Sequence, residues 1–212
     1  AYRRNMNSNR KTIMTTELAY KHKAKLRKKH RKVRLEQVSD MANLQRAVLE
    51  ARRKKEKNKG VRIYDRKATQ NLIALKASIE DGTYHTSEGH SCYRRCPCGK
   101  VRKLFKLPFY PDHIEHHALM QVLMPYLNKA LYIESGASMK GRGTIYAKRR
   151  TERWIDENKS CGRIYFCKLD YVKFYENVDR QAIYECLCDF FTNKGIRYLL
   201  HEVIFAQEKG LG

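Results

Sequence analysis

Apolar positions along the chain change period several times, and each change marks an expected element. From Leu35 the positions Leu35, Val38, Met41, Leu44, Val48 and Leu49 fall at three- and four-residue steps on one helical face. The run "ARRKKEKNKG" ends that helix, with Gly60 as the expected C-terminal stop. A second helix is expected from about Asp65 to Asp81, carried by Ala68, Leu72, Leu75 and Ile79. Residues 82–100 read as a loop holding three of the seven cysteines. "VRKLFKLPFY" then reads as a half-exposed strand, its apolar Val101, Leu104 and Leu107 separated by cations.

"DHIEHHALMQVLMPYLNKALYI" is the clearest helix, with Asp112 as the expected cap and Pro125 as a kink or boundary. A Gly-rich basic turn leads into a helix around residues 144–157. The apolar run Ile164–Leu169 is expected to form a buried strand that stops at Asp170. Helices follow from about Asp179 to Thr192, with Ile183, Leu187 and Phe190 inward, and around residues 195–206. The element order predicts an α+β fold, helix-rich first and mixed afterwards, without internal repeats.

Charge changes this picture at the N-terminus. The 212 residues hold 45 Lys+Arg against 22 Asp+Glu, a net +23. Residues 1–60 hold 20 Lys/Arg against 5 Asp/Glu, or +15, and so form a basic arm leading into the first helix. Such an excess repels itself and predicts a polyanionic partner. No apolar run reaches the ~18–20 residues of a membrane span and no signal-peptide core follows the early arginines, so no membrane contact and a cytoplasmic location are expected. Seven cysteines, an odd number without secretory features, point to reduced thiols or a metal site. His90, Cys92, Cys96 and Cys98 could supply a tetrahedral zinc site, although C-x3-C-x-C is no standard knuckle. Cys161, Cys167, Cys186 and Cys188 are expected to pack as small hydrophobes, and His113, His116 and His117 to be structural.

A carboxylate fixed at a strand end suits a divalent metal, because the backbone is rigid and the side chain projects from it. On spacing alone Asp170 reads more readily as a strand-terminating cap for the next helix. Its surroundings, "KLDYVKFYENVD", resemble the first catalytic motif of reverse transcriptases, an Asp at a strand end followed five residues later by an aromatic. Two upstream blocks resemble the same family in the same order. "KLPFYPDHIEHHAL" (106–119) is similar to the fingers motif, and "SGASMKGRGTIYAKRR" (135–150) to the block with a Gly-Arg-Gly turn before a basic helix. His113 stands where the family usually has Arg, and Gly212 where its Gly-x-Pro-x-Gly block usually has Pro.

The resemblance implies the fingers and partial palm of a right-hand polymerase, with an arm and first helix over 1–60, fingers over 61–158 and the start of a palm over 159–212. It implies an RNA-directed DNA polymerase, most closely of a diversity-generating retroelement, which makes mutagenic cDNA from an RNA template. Group II intron and phage-defence enzymes are the near alternatives. Asp170 would hold Mg²⁺ as the catalytic carboxylate, with the Tyr171 backbone beside the metal. Tyr175 would be the steric gate, and Val172, Arg102 and Lys103 would contact the dNTP. Lys100, Lys106, Lys140 and Arg142 would contact nucleic acid. The implied partners are RNA template, cDNA or primer, and a small basic accessory protein. The Tyr-x-Asp-Asp hairpin that completes the metal site in the family does not occur in the sequence, so the 212 residues alone are expected to be inactive. A non-catalytic, basic RNA- or DNA-binding protein is the rival expectation, since charge alone fits it equally well.

Overall fold

The computed structural model describes residues 32–132, 134–136 and 139–206, together with the backbone but not the side chains of Cys161, Tyr175 and Glu176. Most of the basic arm and the terminal "KGLG" lie outside these residues. The fold is mixed helix and strand, and its contacts divide into two compact units interleaved in sequence.

The larger unit, in its described part, comprises residues 32–125 and 172–206. It opens with α1 (Leu35–Ser39) and α2 (Met41–Arg52), which the sequence pattern reads as one helix. The break falls at Asp40, whose backbone leaves the helical region (φ −53°, ψ 131°) while its carboxylate accepts from the Asn43 N–H at 3.0 Å, capping α2. Val38, Leu44 and Val48 are buried as expected, whereas Leu49 faces solvent. Gly60 does not stop a helix. The chain turns after Arg52 and begins α3 (Lys59–Asp65), where the Asn58 side chain accepts from the Gly60 N–H at 2.8 Å. α4 (Ala68–Glu80) matches its expected span and buries Leu72, Leu75 and Ile79.

Residues 82–100 are more ordered than their composition suggests. Tyr84 is buried, and β1 (His90–Arg95) pairs antiparallel with β2 (Val101–Lys106). β1 offers almost no apolar residues to a core. It is held by the ladder with β2 rather than by burial, and a hydrophobic pattern does not reveal that.

A π-type turn, Phe109–His113, leads into α5 (Ile114–Ala130), which buries Ile114, Ala118, Leu119 and Leu123. Asp112 is no exposed cap. It is 0% exposed and accepts from the Tyr84 hydroxyl at 2.9 Å and from the Ser87 N–H at 3.1 Å. Pro125 lies inside α5, and the division between the two units falls directly after it. Asn43 ties α2 to α5, donating from Nδ2 to the carbonyls of Val38 (3.0 Å) and Ala118 (3.1 Å).

The unit closes with α7 (Phe174–Asn177), α8 (Arg180–Phe190) and α9 (Lys194–Phe205). Asp179 and Asn193 cap α8 and α9, accepting from the N–H groups of Ala182 (3.0 Å) and Ile196 (3.1 Å). Of the residues expected inward on α8, Phe190 is buried and Ile183 is exposed. Cys167 and Cys186, expected to pack in a core, are exposed as well.

Gly195 marks where α9 meets α1. A Cβ there would stand 2.6 Å from Leu35 Cδ2 and 3.0 Å from Leu35 Cβ, closer than packed carbons approach. Gly195→Ala is expected to lower stability by ~1–2 kcal/mol despite the better helix propensity of alanine, because relieving the overlap must shift α1 or α9. The midpoint of urea unfolding measures this.

The smaller unit, in its described part, covers residues 126–171. It holds the end of α5, an irregular stretch, α6 (Thr144–Asn158) and a 3-10 turn at Lys159–Cys161. α6 buries no residue. The stretch 163–170 is not a strand: Tyr165, Phe166 and Leu169 are exposed, Leu169 at 87%. A strand needs a neighbour for its N–H and C=O groups, and the only sheet among the described residues is the β1–β2 pair.

Candidate functional site

Asp170 stands in the smaller unit as an exposed carboxylate on irregular chain. Its Oδ1 accepts from the backbone N–H of Tyr171 at 3.0 Å. Tyr171 is itself 80% exposed, so nothing shields the carboxylate from water. The unit boundary falls between Tyr171 and Val172. On the far side Val172 begins a turn, Lys173 adopts a left-handed backbone (φ 48°), and the Asn177 amide donates to the Val172 carbonyl at 3.0 Å. The Tyr175 side chain, expected as the gate, lies outside the described residues.

As a metal site this is one carboxylate, with a backbone N–H rather than a ligand beside it. Among the described residues no three His, Cys, Asp or Glu side chains come together to hold a metal. These residues could anchor one side of a Mg²⁺ ion and do not by themselves fit a two-metal centre. The zinc candidates are spread along the hairpin. His90 is at its open end and Cys96 and Cys98 are in its turn, six residues or ~20 Å of strand away from His90.

The cationic candidates form a clearer arrangement. In the β1–β2 register Arg94 stands opposite Arg102 and His90 opposite Lys106, with Cys92 facing Leu104 between them. Alternation places these three pairs on one face of the hairpin. Lys103 falls on the other face, opposite Tyr93. The strand therefore separates Arg102 from Lys103, and a single phosphate cannot lie on one face and meet both. Neither strand contains an acidic residue. Like charges placed directly opposite each other destabilise a strand pair, so an anion on the Arg94–Arg102 face would relieve the ladder. Lys100 ends the hairpin turn, where the Cys96 N–H donates to its carbonyl at 2.8 Å.

Lys140 and Arg142 sit in a tight turn of the smaller unit, closed by the Met139–Arg142 bridge and by Gly141 at φ +78°. That positive φ suits glycine and would strain another residue. The Arg142 guanidinium lies 5.7 Å from the Tyr146 ring centroid, a cation–π contact that orients it. Arg150 pairs through both guanidinium branches with Glu134, fixing α6 to the preceding loop. Through that pair the Glu134 carboxyl is held below its usual range.

A buried polar cluster at the start of α5 went unread in the sequence. Tyr84, Asp112, Glu115 and His116 meet where the π-type turn enters α5. Glu115 is fully buried and neither of its oxygens has a hydrogen-bond partner. Burial, reinforced by the charges of Asp112 and then Glu202, pushes its carboxyl well above the usual range. Burial likewise pushes the Tyr84 hydroxyl up and the His116 imidazole down. The only signal available in the sequence was Glu115 at an i+4 distance from Leu119 on an otherwise apolar face. No helix among the described residues is long and apolar enough to cross a membrane. Comparison of the chain with protein-family models returns no match, and comparison with curated proteins returns none either.

Proposed function

We propose that the chain is the fingers and first palm segment of an RNA-directed DNA polymerase, most closely of a diversity-generating retroelement. The observation that carries this reading is the ordered trio of blocks at 106–119, 135–150 and 168–179, each of which resembles the corresponding reverse-transcriptase block. The acid-free cationic hairpin beside the first block and the glycine turn holding Arg142 in the second supply the phosphate-binding chemistry such an enzyme needs. In the reaction a 3′-hydroxyl attacks the α-phosphate of a dNTP and pyrophosphate leaves, with Mg²⁺ neutralising the developing charge. Asp170 would give one carboxylate to that metal. The reaction requires at least one more, and no described residue supplies it beside Asp170.

Within this reading Arg94 and Arg102 hold a phosphate on one hairpin face, while Lys103 serves a different contact. RNA template and cDNA are the macromolecular partners, and a small basic accessory protein is the further partner that the resemblance suggests. The test is Mg²⁺-dependent dNTP binding to this chain, measured by calorimetry. Asp170→Ala is expected to abolish the Mg²⁺-dependent part, a loss of at least about tenfold in affinity. Unchanged dNTP binding in that variant would sink the metal role.

The rival reading is a non-catalytic RNA- or DNA-binding protein. One observation favours it: Asp170 sits on irregular, solvent-exposed chain without companion ligands among the described residues. Salt-dependent RNA binding with no response to dNTP and Mg²⁺ would decide for it.

A further inference from the structure

Two recesses in the larger unit meet where Gly60 touches Phe109. The first, about 570 Å³, is lined by Lys55 from the turn before α3, by Lys59 at the start of α3, by the cross-strand pair His90 and Lys106, and by His113. The second, about 520 Å³, is lined by Ile63, Tyr64, Phe109 and Tyr110, with Arg66 and Lys67 also contributing. Gly60, Pro108 and Phe109 belong to both. A Cβ on Gly60 would stand 3.1 Å from Phe109 Cβ, so the backbone of α3 passes close to Phe109 where the two recesses adjoin.

The chemistry of the walls is one-sided. No carboxylate lines either recess. Lys76, Lys148 and Lys159 each find an acidic partner on this protein, whereas Lys55, Lys59 and Lys106 form no ion pair among the described residues. Three ammonium groups around one concavity repel each other, and no carboxylate among the described residues pairs with them. The second recess offers rings instead, with Tyr64 and Phe109 buried behind it and the half-buried Tyr110 keeping part of its ring open to a ligand. Tyr64 and Tyr110 lie 5.8 Å apart, tilted by 37°, and Phe109 meets Tyr64 edge-on at 5.5 Å. Each volume is in the range of small-ligand sites. An anionic group beside a flat, polarisable ring is the chemistry of a nucleotide.

We infer that the paired recess binds one nucleotide unit of a single-stranded nucleic acid, with its phosphate among Lys55, Lys59 and Lys106 and its base in the Tyr64–Tyr110 recess. This goes beyond the polymerase reading and does not rest on it, because neither Asp170 nor any metal takes part. Among its residues only Lys106 was expected from the sequence to contact nucleic acid. Lys55 and Lys59 become legible only when α3 is folded against the end of β2.

The test uses the full chain and a labelled single-stranded 12-mer of uridylate, with anisotropy read across a salt series. Lys55→Ala/Lys59→Ala/Lys106→Ala is expected to weaken binding by about tenfold or more and to lower the salt slope by about one phosphate. Arg46→Ala/Arg62→Ala/Lys194→Ala removes the same charge from exposed positions outside the recess and is expected to cost less than about threefold. Equal losses in the two triples would assign the binding to overall charge and overturn the inference.

Uridine 5′-monophosphate is expected to shift the imidazole NMR signals of His90 and His113, with uridine and inorganic phosphate each shifting them less. Inorganic phosphate matching the nucleotide would overturn the base-binding half. Failure of the Mg²⁺-dependent dNTP assay alone would leave this proposal standing, because no residue lining the recess belongs to the metal site.

Discussion

Glu115→Leu should raise the thermal midpoint, and the gain should grow with pH. Glu115 is wholly buried with both carboxylate oxygens unpartnered. An unsatisfied buried polar group costs ~1–3 kcal/mol by protein mutational data, and leucine of similar volume removes that cost while adding apolar contact on the face shared with Leu119, one turn on. At ~2–4 °C per kcal/mol for a chain of this size, the midpoint should rise by roughly 5 °C at neutral pH.

The direction with pH follows from proton linkage. Burial raises the folded-state carboxyl well above its unfolded value, so between the two values the folded protein binds more protons than the unfolded one. Wild-type stability therefore falls as pH climbs from about 4.3, the ordinary glutamate value, through the raised folded value, and is flat above it. The difference between Glu115→Leu and wild type should be smallest near pH 4 and should increase across that window. A difference that stays constant with pH would show that Glu115 does not titrate in the folded state as its burial requires.

The histidines act from the other side. Burial lowers His113, His116 and His117, so each binds its proton less readily in the folded state. Their penalty builds as pH falls from about 6.5 through the lowered values. It should remain in the Glu115→Leu protein, whose acid unfolding limb should therefore lie close to that of the wild type. His113, His116 and His117, expected from the sequence to be structural, are half-buried imidazoles at and just inside the start of α5.

Phe191→Ala is the core deletion expected to cost most. Phe191 is fully buried at the corner between α8 and α9 and meets Phe190 edge-on, ring centroids 5.0 Å apart. Arg197 clasps the same corner, donating from Nε to the Phe191 carbonyl at 3.0 Å and from Nη2 to the Cys188 carbonyl at 2.6 Å. Truncation leaves a cavity that these fixed helices cannot collapse into, a loss of ~3–5 kcal/mol. That is a large part of the ~5–15 kcal/mol by which domains are stable. A shift of less than about 1 kcal/mol in urea unfolding would contradict the packing described at this corner.

The chain's local pattern was enough to locate most helices. α4, α6, α8 and α9 lie within one to three residues of the spans expected from three- and four-residue apolar steps, and the caps Asp179 and Asn193 do the work their residue types suggest. β2 was legible as a short run of apolar residues interrupted by cations, and the cationic excess from counting. Both are properties of residues close together in sequence, where periodicity and side-chain chemistry act directly.

What needed the tertiary structure has a common cause, dependence on a partner remote in sequence. β1 exists through its ladder with β2, not through apolar residues of its own. The 163–170 run has the composition of a buried strand, yet without a neighbouring strand among the described residues it stays irregular and exposed. Asp112 turned from a helix cap into a buried acceptor because Tyr84, 28 residues earlier, reaches it. Lys55 and Lys59 read as one more basic run until α3 sets them beside His90 and Lys106. The sequence by itself determined where charge accumulates and which segments coil. Only the fold decided which charges face each other without relief, because repulsion and burial depend on distance in space rather than on spacing along the chain.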